Sequence, residues 1–435
     1  MKKKVAFCTL GCKVNQYESE AVLEQFLKQG YTQAEFSEPA DVYVVNTCTV
    51  THLSDRKSRQ MIRRAKQMNP EAVLVVMGCY TQTNPDAVLD IPDVDIVIGT
   101  EQRIQTTALV ERFLNERKPI NLVAELAKDC GFEPLSIDGS GQSHTRAFLK
   151  VQDGCNQFCS YCIIPYARGR IRSRSIEDTV NESRRLVDAG FCELVLTGIH
   201  LASWGKDSGE GNLLTLLKAL QQVEGLRRIR LGSLEPTLCD EAFVQGVAQL
   251  DKVCPHFHLS LQSGCDVTLK RMNRKYTTQI YAEAVERIRK VMPEAAITTD
   301  VIVGFPGETE EEFAETVAFL KQISLADAHI FKYSPRQGTP AAKMPCQIAP
   351  DVKEERSKKL IALTGETKRQ FENAYIGKEE WVLFEQETAP GIYEGKTKNY
   401  ITVSVQSDKL LTGQLLLVRL ESWQKDILCG SLVTV

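Results

Sequence analysis

The sequence contains no uninterrupted apolar run of the roughly 18 residues that a membrane-spanning helix needs. It also lacks an excess of either charge, with 53 Lys and Arg against 56 Asp and Glu and a net charge of −3. The chain as a whole is no polycation, so any binding to nucleic acid must come from local patches. At the N-terminus, MKKKVAFCTLGCKVNQ carries lysines, but Gly11 and Lys13 break a short apolar run. That pattern argues against a secretory signal and predicts a buried first strand and a cytoplasmic protein.

Cysteine, in contrast, is plentiful, with 14 in 435 residues. Disulfide scaffolds are small, core-poor domains. A chain of this length with 43% hydrophobic residues is neither, and it is long enough for roughly two to four domains. Clustered cysteines are then metal ligands or redox groups. Cys130, Cys192, Cys239, Cys254, Cys265, Cys346 and Cys429 have no partner at ligand spacing and read as small buried hydrophobes, and Cys8, within the first expected strand, reads as core.

Three regions succeed one another. Over residues 1–115 the runs VAFCTL, DVYVVNT, AVLVVMG and VDIVIG read as buried strands alternating with helices. One helix ends at Gly30, and a second has Ser54 as its expected N-cap. This is the pattern of an open, Rossmann-like parallel α/β sheet. Residues 116–145, with LSIDGSGQSH, form a connector. Residues 146–367 return to alternation, with strands AFLKVQ, ELVLTG, RIRLGS, HFHLSL, AITTDVIVGF and AHIFKY. Six β/α units suit a whole or partial barrel with its active site at the carboxyl ends of the strands. Residues 368–435 change to short strands and turns, predicting a small all-β barrel.

Cys155, Cys159 and Cys162 have the spacing C-x3-C-x2-C on a loop directly after the first barrel strand. Thiolates at this density suit zinc or an iron–sulfur cluster. Structural zinc and cubane clusters both usually take four ligands, and three are present locally. Either a zinc with a distant fourth ligand or a cubane with one open iron satisfies the spacing. Cys12, Cys48 and Cys79 lie far apart in sequence, yet each falls just past a predicted strand of one parallel sheet. All three would reach its carboxyl edge, where open α/β sheets bind ligands. They read as a second three-cysteine cluster, or as three buried cysteines at strand ends.

The C-x3-C-x2-C loop at the start of a β/α barrel resembles the radical S-adenosylmethionine superfamily. That resemblance implies a 4Fe-4S cluster whose open iron takes the amino and carboxylate groups of S-adenosylmethionine, which an electron then splits to a 5′-deoxyadenosyl radical. Positions matching the family's cofactor contacts are Tyr161, Gly198 in LTGIH, Ser233 and Glu235 in GSLEP, Gln262 in LQSG, and Val303 in DVIVGFPGET. Two three-cysteine sets, one on a Rossmann-like domain and one on a partial (β/α)6 barrel, resemble the methylthiotransferase family over essentially the whole chain. The resemblance implies two 4Fe-4S clusters, a C-terminal TRAM domain (an OB-like RNA-binding barrel), an electron donor such as flavodoxin, and a chain that works as a monomer. TLGCKVNQYESE and NTCTVTHLSDRKSRQ resemble the branch acting on N6-threonylcarbamoyladenosine at position 37 of tRNA. The isopentenyladenosine branch usually has Gln-Met where Lys13-Val14 stand, and a third branch modifies an aspartate of a ribosomal protein. A non-catalytic iron–sulfur RNA-binding protein is the alternative outside enzymes; it would form no 5′-deoxyadenosine on reduction.

Arg168, Arg170, Arg172 and Arg174 occupy alternate positions, so in an extended segment they share one side. Residues 146–176 hold six Lys or Arg against Asp153 alone, a patch expected to hold tRNA phosphates. Ion pairing with barrel acids such as Glu235 is the competing role. A second basic stretch, Arg56 to Lys66, fits either RNA binding or an ordinary solvated helix face. In the terminal region eight Lys or Arg face nine Asp or Glu, and Phe371, Tyr375, Tyr393, Tyr400 and Trp423 divide between base stacking and core.

Overall fold

The computed structural model describes residues 2–127, 130–141, 145–424 and 427–433. The last three residues of LSIDGSGQSH and the last two of the chain therefore lie outside the described residues.

The first region is a six-stranded parallel sheet in the order β2-β1-β3-β4-β5-β6. Its strands are β1 (Lys4–Thr9), β2 (Thr32–Ala34), β3 (Val42–Thr47), β4 (Val73–Gly78), β5 (Ile96–Val97) and β6 (Ile120–Asn121). Its helices are α1 (Lys13–Lys28), α2 (His52–Met68), α3 (Cys79–Thr83), α4 (Pro85–Leu89) and α5 (Thr106–Glu116). The central strands β3 and β4 are buried along their whole length because both faces are covered. Val5, Val42, Val44, Val73 and Val75 join the core under α1, while Ala6, Tyr43, Val45, Leu74 and Val76 pack with Ile62 and Ala65 of α2. The cap of α2 is Thr51 rather than the expected Ser54; the Thr51 hydroxyl accepts from the Ser54 N–H.

The central region carries β7 (Ala147–Lys150), β10 (Glu193–Thr197), β11 (Arg228–Leu231), β12 (His256–His258), β13 (Ala296–Val303) and β14 (Asp327–Lys332). A short antiparallel ladder of β8 (Gln152–Asp153) and β9 (Arg172–Ser173) follows the first of these. The parallel sheets β7-β10-β11 and β12-β13-β14 are stitched by bridges Ile229↔Val253 and Leu234↔Leu259. Six strands thus make a partial barrel, open between β7 and β14 among the described residues.

The N-terminal domain covers that opening. α1 packs against both β1 and β7, and on the far side Arg336, just past β14, donates to Asp55 at 2.6 Å and to the Thr49 hydroxyl. One hydrophobic core runs continuously from β1 through α1 into the barrel. The connector is nailed down in the same way. Leu135 and Ile137 are buried, and the Glu24 carboxylate accepts from the N–H groups of Asp138 and Gly139 at 2.7 and 2.9 Å.

The last strands, β15 (Glu379–Ala389), β16 (Ile392–Lys396), β17 (Thr402–Gln406), β18 (Leu415–Gln424) and β19 (Ile427–Leu432), close into a barrel ordered β15-β16-β17-β19-β18. It has its own core, to which Tyr375 and Tyr393 belong and against which Phe371 and Trp423 pack. The helix Pro350–Asn373 runs straight through the expected boundary at 367/368, because its periodicity continues across the change in composition. No helix among the described residues is long and apolar enough to cross a membrane.

Candidate active site

Parallel neighbours β1, β3 and β4 end at one edge, and Cys12, Cys48 and Cys79 follow those ends directly. Gly11, at φ +102°, lets the β1 turn come so close that a Cβ there would lie 2.9 Å from the Cys48 sulfur. Asn15 fixes the same corner, donating to the carbonyls of Leu10 and Thr47 at 2.8 and 3.0 Å. Cys12 is exposed while Cys48 and Cys79 are buried.

The second triplet sits on the loop after β8. Gly154, at φ +71°, starts it where a Cβ would meet the Arg170 carbonyl at 1.7 Å. The Cys155 N–H donates to the Gly169 carbonyl at 3.0 Å, and Cys162 N–H to that of Cys159 at 3.0 Å. The far side of the barrel supplies the remaining support. Ser160 N–H donates to Met272, Asn273 to the Phe158 carbonyl, and Arg274 to the Cys159 sulfur at 3.1 Å.

Among the described residues, the only His, Cys, Asp or Glu triplet with all ligand atoms within 4.8 Å of one another is His258, Asp300 and His329. Both cysteine triplets are wider. Three thiols in each set offer the soft donors that an iron–sulfur cluster takes. Burial pushes the Cys155 thiol up to about 11 and that of Cys162 up to about 12, so ligation must displace protons.

The expected cofactor positions divide. Glu235 is buried beside the second triplet, paired with His200 at 3.1 Å and Arg274 at 3.1 Å. It also accepts from the side-chain amide of Gln157 at 3.0 Å. Tyr161 packs edge-on to Phe305. Gly198 leaves 3.0 Å between a would-be Cβ and Gln152. Gln262, at φ +69°, bridges to Val301. Ser233 is exposed. Val303 is fully buried, and its carbonyl accepts from the Tyr333 N–H at 2.9 Å.

Two family models match the chain: the Radical SAM superfamily over residues 149–320, and "Uncharacterized protein family UPF0004" over residues 4–99. Threonylcarbamoyladenosine tRNA methylthiotransferase MtaB of Bacillus subtilis is 43% identical over 96% of this chain and 93% of its own. Its namesake in Aquifex aeolicus is 41% identical over 93% and 97%. The chain belongs to the radical S-adenosylmethionine methylthiotransferase family. A tRNA-2-methylthio-N(6)-dimethylallyladenosine synthase of Clostridium novyi is 37% identical over 88% of this chain and 86% of its own. Among solved structures, the radical S-adenosylmethionine methyltransferase TsrM of Kitasatospora setae superposes with TM-score 0.56 over 79% of this chain and 77% of its own. At 16% identity that likeness is one of fold.

For this methylthiotransferase, the expectation that the four arginines share an RNA-facing side needs correction. Arg168, Arg172 and Arg174 are buried. Arg168 grips Glu18 through both terminal nitrogens, at 2.5 and 3.0 Å. Arg172 donates to Glu101 at 2.8 Å and lies 3.6 Å from Asp153. Arg174 donates to Glu182 at 2.6 Å and to the Tyr17 hydroxyl at 3.2 Å. The partners are Glu18 of α1, Glu101, Asp153 and Glu182, not Glu235, and a charge this deep must be paired. Arg170 alone of the four is exposed, in an open groove of about 590 Å³ with Phe158, Tyr166 and Gln82.

Sequence reasoning missed the ion network that joins the two domains. Arg103 and Lys150 contact Glu18 at 2.6 and 2.7 Å, and Lys150 reaches Asp153 at 2.6 Å. Burial opposes the charge of Glu18, yet Arg103, Arg168 and Lys150 hold its carboxyl at about 2. The only local signal was Lys150 and Asp153 just before the first cysteine of the loop. Of the eight cysteines expected to be buried, Cys239, Cys254 and Cys265 are; Cys8, Cys192 and Cys429 are half-buried, Cys346 is exposed, and the half-buried Cys130 lies against Glu101 and Arg172.

Proposed function

We propose that this chain converts N6-threonylcarbamoyladenosine at position 37 of tRNA to its 2-methylthio derivative, using S-adenosylmethionine and two 4Fe-4S clusters. The observation that carries this reading is the placement of the two cysteine triplets. One lies on the barrel, the other on the domain that covers the barrel's open side, and Arg168 runs from the first loop to Cys79 of the second set at 3.2 Å.

The C2–H bond of adenine has no acidity that a side chain can exploit, so general-base chemistry will not break it. When bound, the clusters and S-adenosylmethionine supply the radical chemistry and the sulfur that the protein itself lacks. On this reading Cys155, Cys159 and Cys162 hold the barrel cluster, and Cys12, Cys48 and Cys79 hold the other. Glu235, Gln262, Gly198, Ser233, Tyr161 and the main chain at Val303 border the S-adenosylmethionine site. The protein's task is to hold these parts facing one another, with α1 and the Arg336–Asp55 pair fastening the N-terminal domain to the barrel.

Residues 1–115, 116–145, 146–367 and 368–435 serve as sulfur-carrying domain, connector, radical barrel and RNA-binding TRAM domain. The accessible cations facing tRNA are Arg170 and the Arg56–Arg64 face of α2, which lines a basic groove. The chain acts as a monomer in the cytoplasm with an electron donor such as flavodoxin. Mass spectrometry of tRNA nucleosides from cells with and without this gene tests the proposal. Loss of the methylthio nucleoside is expected, and unchanged tRNA with methylthio-aspartate in a protein digest would overturn it. Iron and sulfide near four of each per chain, instead of about eight, would remove the second cluster.

A further inference from the structure

One cluster of metal-ligating side chains has no part in the function proposed above. Three neighbouring parallel strands contribute one residue each: His258 ends β12, Asp300 lies within β13 and His329 within β14. Asp300 and His329 are direct partners across the β13–β14 ladder. His258 stands opposite Thr298, two residues before Asp300. Residues two apart on a strand share a face, so sheet pairing, not loop conformation, brings the three together.

Their geometry is open. His258 Nε2 lies 3.3 Å from Asp300 Oδ2, and His329 Nδ1 lies 3.3 Å from Asp300 Oδ1. All three ligand atoms fall within 4.8 Å of one another. A charge-assisted hydrogen bond closes to about 2.7–2.9 Å, so neither contact is drawn in as an imidazolium–carboxylate pair would be. The separation matches the edge of a coordination polyhedron instead. With bonds of about 2.1 Å to one ion, neighbouring ligands stand about 3.0–3.4 Å apart. His329 is exposed and packs face to face with His258, ring centres 5.9 Å apart, and it can swing to close the third edge. Among the described residues no Lys or Arg pairs with the Asp300 carboxylate, and a half-buried carboxylate calls for a cation.

The second ring nitrogen of His258 is fixed as well. Nδ1 lies 3.0 Å from the Thr298 hydroxyl, which also meets Nε2 of His256 at 3.2 Å. His256 is itself stacked on Tyr400 of the terminal barrel, with ring centres 4.7 Å apart. A ligating histidine characteristically gives its other N–H to such an outer partner, which sets the tautomer and aims the free nitrogen at the metal. Here the Thr298 oxygen takes the Nδ1 proton and leaves Nε2 facing Asp300.

We propose that His258 Nε2, the Asp300 carboxylate and His329 Nδ1 form a site for one divalent transition-metal ion of the zinc class. Two imidazoles and a carboxylate suit zinc, cobalt(II), nickel(II) or iron(II); magnesium and calcium take oxygen donors. Three protein ligands leave a position open, and water reaches it from the exposed side of His329. The Asp300 carbonyl accepts from the Gln262 N–H at 2.8 Å, so the ion stands beside a residue expected to border S-adenosylmethionine. The inference does not rest on which nucleoside is modified, and its failure leaves that reading untouched.

The test uses the full chain with its clusters reconstituted anaerobically, then dialysed against excess zinc and desalted. Zinc, iron and sulfide are measured on the same samples. Wild type should retain one more zinc ion per chain than the double variant His258→Ala/His329→Ala, at equal iron and sulfide. His329→Ala alone carries the comparison should the double variant lose iron. In competition with a chelator, Thr298→Val should bind zinc about tenfold to a hundredfold more weakly than wild type. Equal zinc in wild type and variants overturns the site. So does zinc gained only at the expense of iron, which would place it on the cysteines.

Discussion

Arg168 donates from Nε to the sulfur of Cys79 at 3.2 Å while its terminal nitrogens hold Glu18. A single buried guanidinium thus ties the loop after the barrel's first strand to the edge of the N-terminal sheet. Its planar fork suits a bidentate carboxylate, and its third face is left for the sulfur. Arg168→Met would take from Glu18 its bidentate partner and leave that buried carboxylate to Arg103 and Lys150 alone. The expected loss is about 3–5 kcal/mol of stability, measured by denaturant unfolding. Arg168→Lys should recover only part of it.

The two triplets should fail separately. Cys159→Ala is expected to abolish 5′-deoxyadenosine formation from S-adenosylmethionine. Cys48→Ala should leave that cleavage in place and stop methylthiolation. Both are read by chromatography of the nucleoside products. Cleavage by the first variant, or normal product from the second, would take that triplet out of the reaction.

Gly154→Ala places a Cβ 1.7 Å from the Arg170 carbonyl at a φ of +71°. The loop cannot hold its path without moving Arg170 or Cys155. Iron content and 5′-deoxyadenosine formation should fall together, while Gly190→Ala, where no atom lies within 4 Å of the new Cβ, should leave iron content as in wild type.

The arginines should separate by burial. Arg174→Ala leaves Glu182 without its strongest partner and should lower stability with little change in how tRNA binding depends on salt. Arg170→Ala should leave stability nearly unchanged and reduce the salt slope by about one. Binding isotherms at several salt concentrations decide between them.

Burial raises the Glu372 carboxyl to about 7, against the pull of Lys368 and with the help of Asp327. Its folded value lies above the free value of about 4.3, so the folded chain holds the extra proton. Stability from this group is present below about pH 4 and is lost as pH rises through 7. Glu372→Gln should therefore be more stable than wild type near pH 8, by on the order of 1 kcal/mol. The difference should vanish toward pH 4 in thermal unfolding.

Much of the architecture was legible because its signals are local. Val-rich runs broken by Gly11 and Gly78 mark strands that end in cysteines, and parallel pairing then puts Cys12, Cys48 and Cys79 on one edge. The change at the terminal barrel showed in turn residues and short strands, though the helix Pro350–Asn373 carries its 3.6-residue period across the compositional boundary. Tyr400 was one of five aromatics that composition could not distinguish. Only its position over His256, from another domain, shows that it leaves the small barrel's core.

The chain itself determined the alternation of strand and helix, the three-cysteine loop and the strand-end cysteines, since periodicity and pairing depend on near neighbours. Tertiary structure alone decided which way the arginines face. Arg168 meets Glu18 across 150 residues of sequence, and whether a charge lies in water or in a buried pair depends on acids that only the assembled fold brings to it.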